Sequence, residues 1–541
     1  MSVAKRSAGL GAALVSLFLA ACGGGGSSPS PTSPPPYAVS PNAAQVTAVA
    51  GYATQINFTA TQTTSYTGTV YIGVTADAAV VQNTVSVTIN PDNTAFVSMV
   101  TLASLAVGHY TGNFTVNACT DAACSHSLAG APFKVPYDIT VVPAEGSVSM
   151  SNRSALAPLT GGLDWGTFQG NSSHSGFVPV TLDASTFNRR WTWTVPSFAG
   201  QQWILSTLVT GGDMFYVSTQ LAYNIDASIG NGVYSLYAYR EDDCSQVWSH
   251  SFDDLLSPST NPPAYSDGRV YIVAGSANSG AMFGFDAASG TQVFRTSTSS
   301  QGPAYLAPTV FGGTVYNDGG DFDGPVAFDA TTGLEKFGAN PDWGDGSTPA
   351  VDSTRVYVYT EGALYVHDNQ TGAVIARISD GTTLSTDYTS IAEAPVVGGP
   401  DIVYAESLLD VNTHRNSITS FDVSNDSVRW AVSGRYIDNP VYAHAVLYAA
   451  NQSPFELEAL AEGDGSKLWT WTPPAGDVGF VSDVLVTSNL AFVSGYTGTY
   501  AIDLTTHKTV WHDAASGKLA LSANGILYIQ DINNLVAINL H

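Results

Sequence analysis

Between residues 37 and 143, apolar and polar positions alternate in short runs. QINFTATQ (55–62), GTVYIGVTA (68–76), NTVSVTIN (83–90), TAFVSMVTL (94–102), GNFTVNAC (112–119) and KVPYDITVV (134–142) each place their apolar side chains on one face of an extended strand. Six or seven such strands in about 105 residues predict a β-sandwich. From residue 161 the alternation becomes periodic on a longer scale, the mark of stacked structural repeats.

Each repeat holds a Val-Tyr-like strand, then a strand ending in Asp, a small turn and an aromatic residue. The Tyr position is filled by Tyr216, Tyr271, Tyr316, Tyr357, Tyr404, Tyr448, Phe492 and Tyr528. The turn residue is Cys244, Gly290, Gly333, Gly372, Asp426, Gly465 or His507. Four residues later stand Trp248, Phe294, Phe337, Ala376, Trp430, Trp469 and Trp511. Four residues before the turn, Asp occurs at 286, 329, 368, 422 and 503, with Arg240 and Ala461 in the other two places. Many units open on a small residue and Pro, as at Pro308, Pro349, Pro395 and Pro440. An Asp before a turn accepts bonds from turn N–H groups, and Gly supplies the positive φ that follows. The offset of four then aims a large ring at the gap between neighbouring sheets, and sheets that cannot bury their own faces stack around an axis.

Composition narrows the class. The chain has 541 residues, only 11% of them charged, with a formal charge of −26 and 44% hydrophobic residues. Such acidity excludes a nucleic-acid binder, which needs a basic footprint. The apolar content excludes global disorder, and the absence of heptads excludes a coiled coil or helical bundle. Few charges with many Gly, Ser, Thr and aromatic residues point to an all-β protein outside the cytoplasm.

The first 22 residues, MSVAKRSAGLGAALVSLFLAAC, carry a basic start at Lys5 and Arg6 and an apolar stretch too short to span a bilayer. The ending Leu19-Ala20-Ala21-Cys22 resembles the lipobox of bacterial lipoproteins. That resemblance implies cleavage after residue 21, acylation of Cys22 and a membrane anchor. With Gly23 rather than Asp after the Cys, it favours the outer membrane, facing the periplasm or the cell surface. Residues 22–36 form a Gly/Ser/Pro tether.

Gly108-His109-Tyr110 through Cys124 resembles the last strands of bacterial immunoglobulin-like modules, which gives an immunoglobulin-like sandwich over 37–143. Cys119 and Cys124 read as a disulfide across a tight loop rather than a metal pair, because no His or second Cys pair stands nearby at ligand spacing. A linker follows at 144–160. The string A-x-D-x-x-x-G-x-x-x-W, clearest in FGFDAASGTQVF (283–294), VAFDATTGLEKF (326–337) and AIDLTTHKTVW (501–511), resembles the repeat of pyrroloquinoline-quinone-like (PQQ-like) β-propellers. The resemblance covers 161–541. Eight Tyr-type strands meet only seven turn-to-aromatic strands, while Arg189-Arg190-Trp191-Thr192-Trp193 lies upstream without a unit of its own. Pairing it with the C-terminal unit would close an eight-bladed ring through both termini, with Trp191 docking as Trp248, Phe294, Phe337, Trp430, Trp469 and Trp511 do. Trp165 to Gly176 resembles the W-x-x-F-x-G-x-x-x-H-x-G leader of many such propellers and reads as a lid on the ring.

Candidate chemistry is sparse. Quinone enzymes of this class carry an adjacent Cys pair, but the cysteines here are Cys22, Cys119, Cys124 and Cys244, none adjacent, so no quinone cofactor is expected. Asp318, Asp321 and Asp323 are weak calcium candidates, with Asp342 and Asp345 in a later loop, although the EF-hand pattern is missing. No G-x-S-x-G, H-E-x-x-H or Walker motif occurs. The expectation is a monomeric, non-catalytic lipoprotein scaffold of the BamB-like kind, bound to an unidentified envelope protein or glycan and to the membrane through its acyl anchor. The alternatives are a quinone-dependent dehydrogenase or other propeller enzyme, and a glycan-binding surface protein using aromatic loop residues such as Trp203 and Trp343.

Overall fold

The computed structural model describes residues 37–541 except 42, 51–52, 63–68, 90–93, 143–146, 195–196, 199–200, 203, 221–234, 253–259, 276–279, 299–305, 319–323, 339–346, 361, 382–393, 408–414, 483 and 533. The expected signal segment, Cys22 and the tether lie outside the described residues. The chain forms two compact units, one essentially ending at Ala144 and the other built from Glu145 onward.

The first unit is two four-stranded sheets. One takes Tyr37–Ser40, Gln55–Gln62, Thr94–Thr101 and Val81–Ile89 in that order; the other takes Ala44–Val49, Phe133–Val142, Gly108–Cys119 and Tyr71–Ala76. Their inward positions, among them Phe58, Val97, Phe114, Val116 and Ile139, form one apolar core. Eight strands stand where alternation predicts six or seven. The additions, YAVS and AQVTAV, are short and too poor in large apolar residues to announce themselves. Cys119 and Cys124 form a disulfide. Asp121 braces the same loop by accepting from the N–H groups of Ser125 (3.0 Å) and His126 (2.9 Å).

The second unit holds eight sheets of four or five strands among the described residues. Their central strands are consecutive antiparallel neighbours, as in Ala264–Ser266, Arg269–Ala274, Ala281–Asp286 and Gln292–Ser297. All eight residues at the Tyr position are buried. All seven turn residues, Gly or not, have positive φ, from 48° at Asp426 to 71° at Gly333 and Gly372. The five repeat aspartates each accept from the N–H three residues ahead, at 2.6–3.1 Å. Where that Asp is missing, an Asp directly before the turn residue accepts instead: Asp243 from Ser245 N–H and Asp464 from Ser466 N–H.

Every turn ends in a bulge, after which the docking residue faces a small one across the ladder. The pairs are Ala238↔Trp248, Gly284↔Phe294, Ala327↔Phe337, Ser420↔Trp430, Ala459↔Trp469 and Ala501↔Trp511. The one unit without a ring reverses the sizes, with Val366 opposite Ala376. From Trp248, Phe294, Phe337, Trp430 and Trp469 the ring then reaches the next sheet's turn. A Cβ on Gly290 would stand 2.6 Å from Trp248, one on Gly333 2.2 Å from Phe294, and one on Gly372 2.3 Å from Phe337. The carbonyl three residues before each of these turn residues is the polar end of the contact. Trp248 Nε1–H donates to Ala287 O at 2.8 Å, and Trp430 Nε1–H to Glu462 O at 3.0 Å. Where the ring is Phe and has no donor, the Tyr hydroxyl bonds that carbonyl at 3.0 Å, Tyr271 to Ala330 and Tyr316 to Asn369.

The last sheet joins the two ends of the unit. Lys518–Leu521, Ile526–Gln530 and Asn534–Asn539 come from the C-terminus; Asn188–Thr194 and Ser147–Met150 come from upstream. Ser147–Met150 falls inside the stretch expected to be linker, where SVSM, exposed throughout, carries no burial pattern. Trp191 faces the small Ala537, and its Nε1–H donates to Glu241 O at 2.8 Å, as Trp248 and Trp430 do one sheet further on. The two neighbouring arginines bond to different sheets: buried Arg190 to Asp242 and to Asn539 Oδ1 (2.9 Å), Arg189 to Asp513 (2.8 Å).

Two outcomes follow. Deleting residues 534–541 removes the strand that pairs with Asn188–Thr194, so the truncated chain should lose its cooperative transition in thermal denaturation and aggregate; a soluble, cooperative truncation would refute the closure. Gly333→Ala forces a side chain into left-handed backbone and into the Phe294 ring, and should cost about 2 kcal/mol or more in denaturant unfolding. Combining it with Phe294→Ala should cost less than the sum of the two singles.

Candidate functional site

The leader segment explains where the free inner edges of the sheets go. An inner strand offers unpaired N–H groups that need acceptors. Leader carbonyls accept them in turn: Trp165 O from Thr210, Gly166 O from Tyr265, Ser172 O from Val351, Ser173 O from Val397, Ser175 O from Tyr442 and Gly176 O from Val486, all at 2.7–2.9 Å. Thr167 Oγ1 donates to Pro308 O at 2.6 Å, and Leu159 N–H to Ala523 O at 2.8 Å. Residues 159–176 therefore touch all eight sheets, and Phe177–Val178 continues as a strand parallel to Leu485–Thr487. The prolines that open the repeat suit this place. They have no N–H to leave unpaired, and the carbonyls of Pro308 and Pro395 receive leader side chains.

The leader is tightly fitted. Gly170 (φ 89°) would press a Cβ to 2.7 Å from the Trp165 ring, and Gly176 (φ 62°) to 2.4 Å from Val441. His174 is fully buried, with Nδ1 3.0 Å from Pro395 O and Nε2 3.2 Å from Thr309 Oγ1. A carbonyl only accepts, so the proton sits on Nδ1 and Nε2 accepts from Thr309. Burial holds the pKa of His174 down to about 4, so the ring is neutral. Its role is structural.

Beside the leader is a small cavity of about 30 Å³, room for one or two waters, lined by Trp165, Phe168, Gln169, Leu208, Lys518 and Gln530 among others. Lys518 Nζ lies 2.6 Å from Asp438 Oδ2. None of the polar residues in this pocket belongs to the repeat, so no periodic signal points to them.

A second unadvertised group sits where the two ends of the unit join. Glu241 occupies the place held by Ala287 and Ala330 in other turns, and only its charge marks it in the sequence. It is buried and accepts from Asn524 Nδ2 (2.9 Å) and Ser522 Oγ (3.2 Å). Burial pushes its carboxyl up to about 7; those two hydrogen bonds oppose the shift, while Asp213 and Asp164 add to it.

The residues expected to carry chemistry are scattered. Asp318 is buried at the end of Thr314–Asp318, while Asp321, Asp323, Asp342, Asp345, Trp203 and Trp343 lie outside the described residues. Among the described residues no group of three His, Cys, Asp or Glu side chains is placed to hold a metal ion. Cys244 is buried and not in a disulfide, and burial raises its thiol pKa far above the usual range. A pyrroloquinoline quinone carries three carboxylates and needs several cations. The leader cavity has Lys518 as its one cation, already ion-paired with Asp438, so this cavity does not fit that group.

Residues 232–471 match the family described as outer membrane protein assembly factor BamB. The second unit is a PQQ-like β-propeller. The propeller is similar to BamB from Moraxella catarrhalis (13% identity, 65% of this chain and 100% of that one, TM-score 0.48). It is also similar to a computationally designed protein, Ika8 (12%, 64% and 99%, 0.46), and to a europium-containing methanol dehydrogenase (13%, 68% and 89%, 0.39). No match was found among curated protein sequences. The assignment stands on the family match and on the propeller's own repeat.

Glu241 gives the propeller a pH dependence of known sign. The folded chain keeps this proton where the unfolded chain, with a pKa near 4.5, has lost it. The group's stabilising contribution is complete below that value and declines as pH rises to about 7. The decline is roughly 3 kcal/mol. Glu241→Gln should flatten that fall in denaturation midpoints measured from pH 4 to 8 and should be more stable than the parent at pH 8. An unchanged profile would remove Glu241 as its source.

Proposed function

We propose that this chain is an outer-membrane-anchored lipoprotein whose eight-bladed propeller is a non-catalytic scaffold for other envelope proteins. In this reading residues 1–21 direct export, Cys22 is acylated, and residues 22–36 tether an immunoglobulin-like sandwich and the propeller. The observation that carries it is the leader, which binds all eight sheets and makes the propeller a braced body rather than an open funnel.

The two ends of that body differ. At one end the link from third to fourth strand is the same short turn in sheet after sheet. At the other, links vary from the single residue pair between Thr360 and Ala363 to the long connection between Gln220 and Ser235. Variable loops on a rigid scaffold are where recognition resides. The matched family's description as an assembly factor of outer membrane proteins supports a protein partner. The lipobox resemblance supports the address.

The test uses the full chain in intact envelopes, with a photo-crosslinking residue placed at exposed Arg415 on the variable end or at exposed Thr505 on the uniform end. The expected result is a discrete crosslinked protein from position 415 and none from 505. Equal labelling at both ends, or none at either, would overturn the scaffold reading. Cys22→Ala should move the protein from the membrane pellet to the soluble fraction; retention in the pellet would overturn the anchor.

A further inference from the structure

On the variable end, the links at 452–455, 495–498 and 530–534 join second strand to third in three successive sheets, and they are bound into one surface. Gln452 Nε2 donates to Phe480 O (3.0 Å) while Phe480 N–H donates to Gln452 Oε1 (3.2 Å), and the rings of Phe455 and Phe480 lie 4.6 Å apart. The connection through Phe480 then meets the next tip. Val481 N–H donates to Ser494 O (2.9 Å) and Tyr496 N–H to Gly479 O (3.1 Å). Beyond that tip, Ser516 Oγ donates to Gly495 O (2.5 Å) and Gly517 N–H to Ser494 Oγ (2.9 Å). Gly517 abuts the last tip, since a Cβ on it would stand 2.8 Å from Asp531 N. Asp477 locks the centre by accepting from Tyr496 N–H (2.9 Å), Thr497 Oγ1 (2.9 Å) and the Tyr500 hydroxyl (3.1 Å).

Of the four most exposed large apolar side chains among the described residues, three stand on this surface: Val478 (79%), Tyr496 (64%) and Ile532 (57%). The Tyr496 ring lies over Gly479, where a Cβ would come within 2.6 Å of it. The segments 452–455, 472–482, 494–499, 514–517 and 530–534 hold two carboxylates, Asp477 and Asp531, and no Lys or Arg. The next cations along the chain are engaged, Lys467 with Glu456 (2.9 Å) and Lys518 with Asp438 (2.6 Å), while Arg435 precedes the inner strand Tyr436–Ala443.

We infer that this surface docks a partner protein through a segment that sets an aliphatic side chain beside Lys or Arg. The inference rests on the scaffold reading and adds where the partner is held and by what chemistry. Clustered apolar area on a soluble body is stabilised when a partner's apolar group covers it. A tip already fastened by Asp477 loses little freedom on binding, and a Tyr so held suits the energetic centre of an interface. The carboxylates choose the sign of what surrounds the aliphatic anchor. A Lys or Arg there meets exposed Asp531, and a guanidinium stacks on the Tyr496 ring. An acidic segment or an anionic lipid surface meets those carboxylates, and the formal charge of −26, with like sign.

The test uses the full chain in intact envelopes, with a photo-crosslinking residue at position 478 and, as control, at exposed position 334 on the uniform end. The expected product at 478 is a discrete protein whose crosslinked peptide, sequenced by mass spectrometry, holds Lys or Arg next to an aliphatic residue. Tyr496→Ser should cut the yield about tenfold and Asp531→Lys about fivefold, while Tyr496→Phe should preserve it. The peptide sequence is read on the otherwise unsubstituted chain, so it decides the matter even where a variant folds poorly. Capture at 415 but not at 478 would overturn this surface and leave the scaffold reading standing; capture at neither would overturn both. An acidic crosslinked peptide, a second copy of this chain as the captured species, equal capture at 334, or a yield indifferent to Tyr496→Ser would overturn the inference. So would binding of the purified chain to phosphatidylglycerol vesicles that Tyr496→Ser abolishes.

Discussion

The second unit depends on one contact, repeated around its axis: an aromatic ring on the outer strand of one sheet lying over the left-handed turn of the next. The ring supplies the buried apolar area, and the turn supplies a carbonyl for its polar edge. The contact also dictates what the neighbouring positions hold. A Gly at the turn satisfies two needs at once, since positive φ is cheap for it and any Cβ would enter the ring. A small residue must face the ring across the ladder, as Gly284 faces Phe294. At Trp248 and Trp430 the indole satisfies the turn carbonyl; where the ring is Phe294 or Phe337, the neighbouring Tyr hydroxyl takes over. The pieces are interchangeable because the demand on them is fixed.

The exceptions support this account. After Ala376 no ring presses on the following turn, and that turn holds Asp426 instead of Gly, a residue that tolerates left-handed backbone. The space left by the missing ring is partly refilled from across the ladder by Val366. At His507 the positive-φ residue keeps its side chain, and the imidazole lies parallel to Trp469 with 4.4 Å between centroids and 14° between planes. A side chain is admitted there because it is flat and stacks.

This shared demand is why so much of the fold was legible in the sequence. An offset of four between turn and ring survives the exchange of Trp for Phe, and an Asp four residues before the turn is visible wherever it occurs. Trp191 could be placed because it is a docking ring without a unit, and in the structure it bonds Glu241 O as its counterparts bond theirs. What escaped has no period. Ser147–Met150 pairs through backbone alone, and an exposed four-residue strand leaves no trace in side-chain pattern. The Asp residues directly before the turn at 243 and 464 do the same work as the repeat Asp from another position. The pocket of Gln169, Gln530 and Lys518 draws on the leader and the last sheet, which meet only because the chain closes on itself.

Closure also explains where the polar exceptions collect. A repeated contact favours its own residue types, and several groups of other chemistry collect where the repeat is interrupted. There are two such places, the leader and the sheet that joins both ends. Glu241, Arg190 and His174, all buried, sit at one or the other. So do the buried amide oxygens of Gln169 and Gln530. The leader gives its carbonyls to inner-strand N–H groups and its glycines to close approach, and even buried Gln169 is held, its Nε2 donating to Asn439 O.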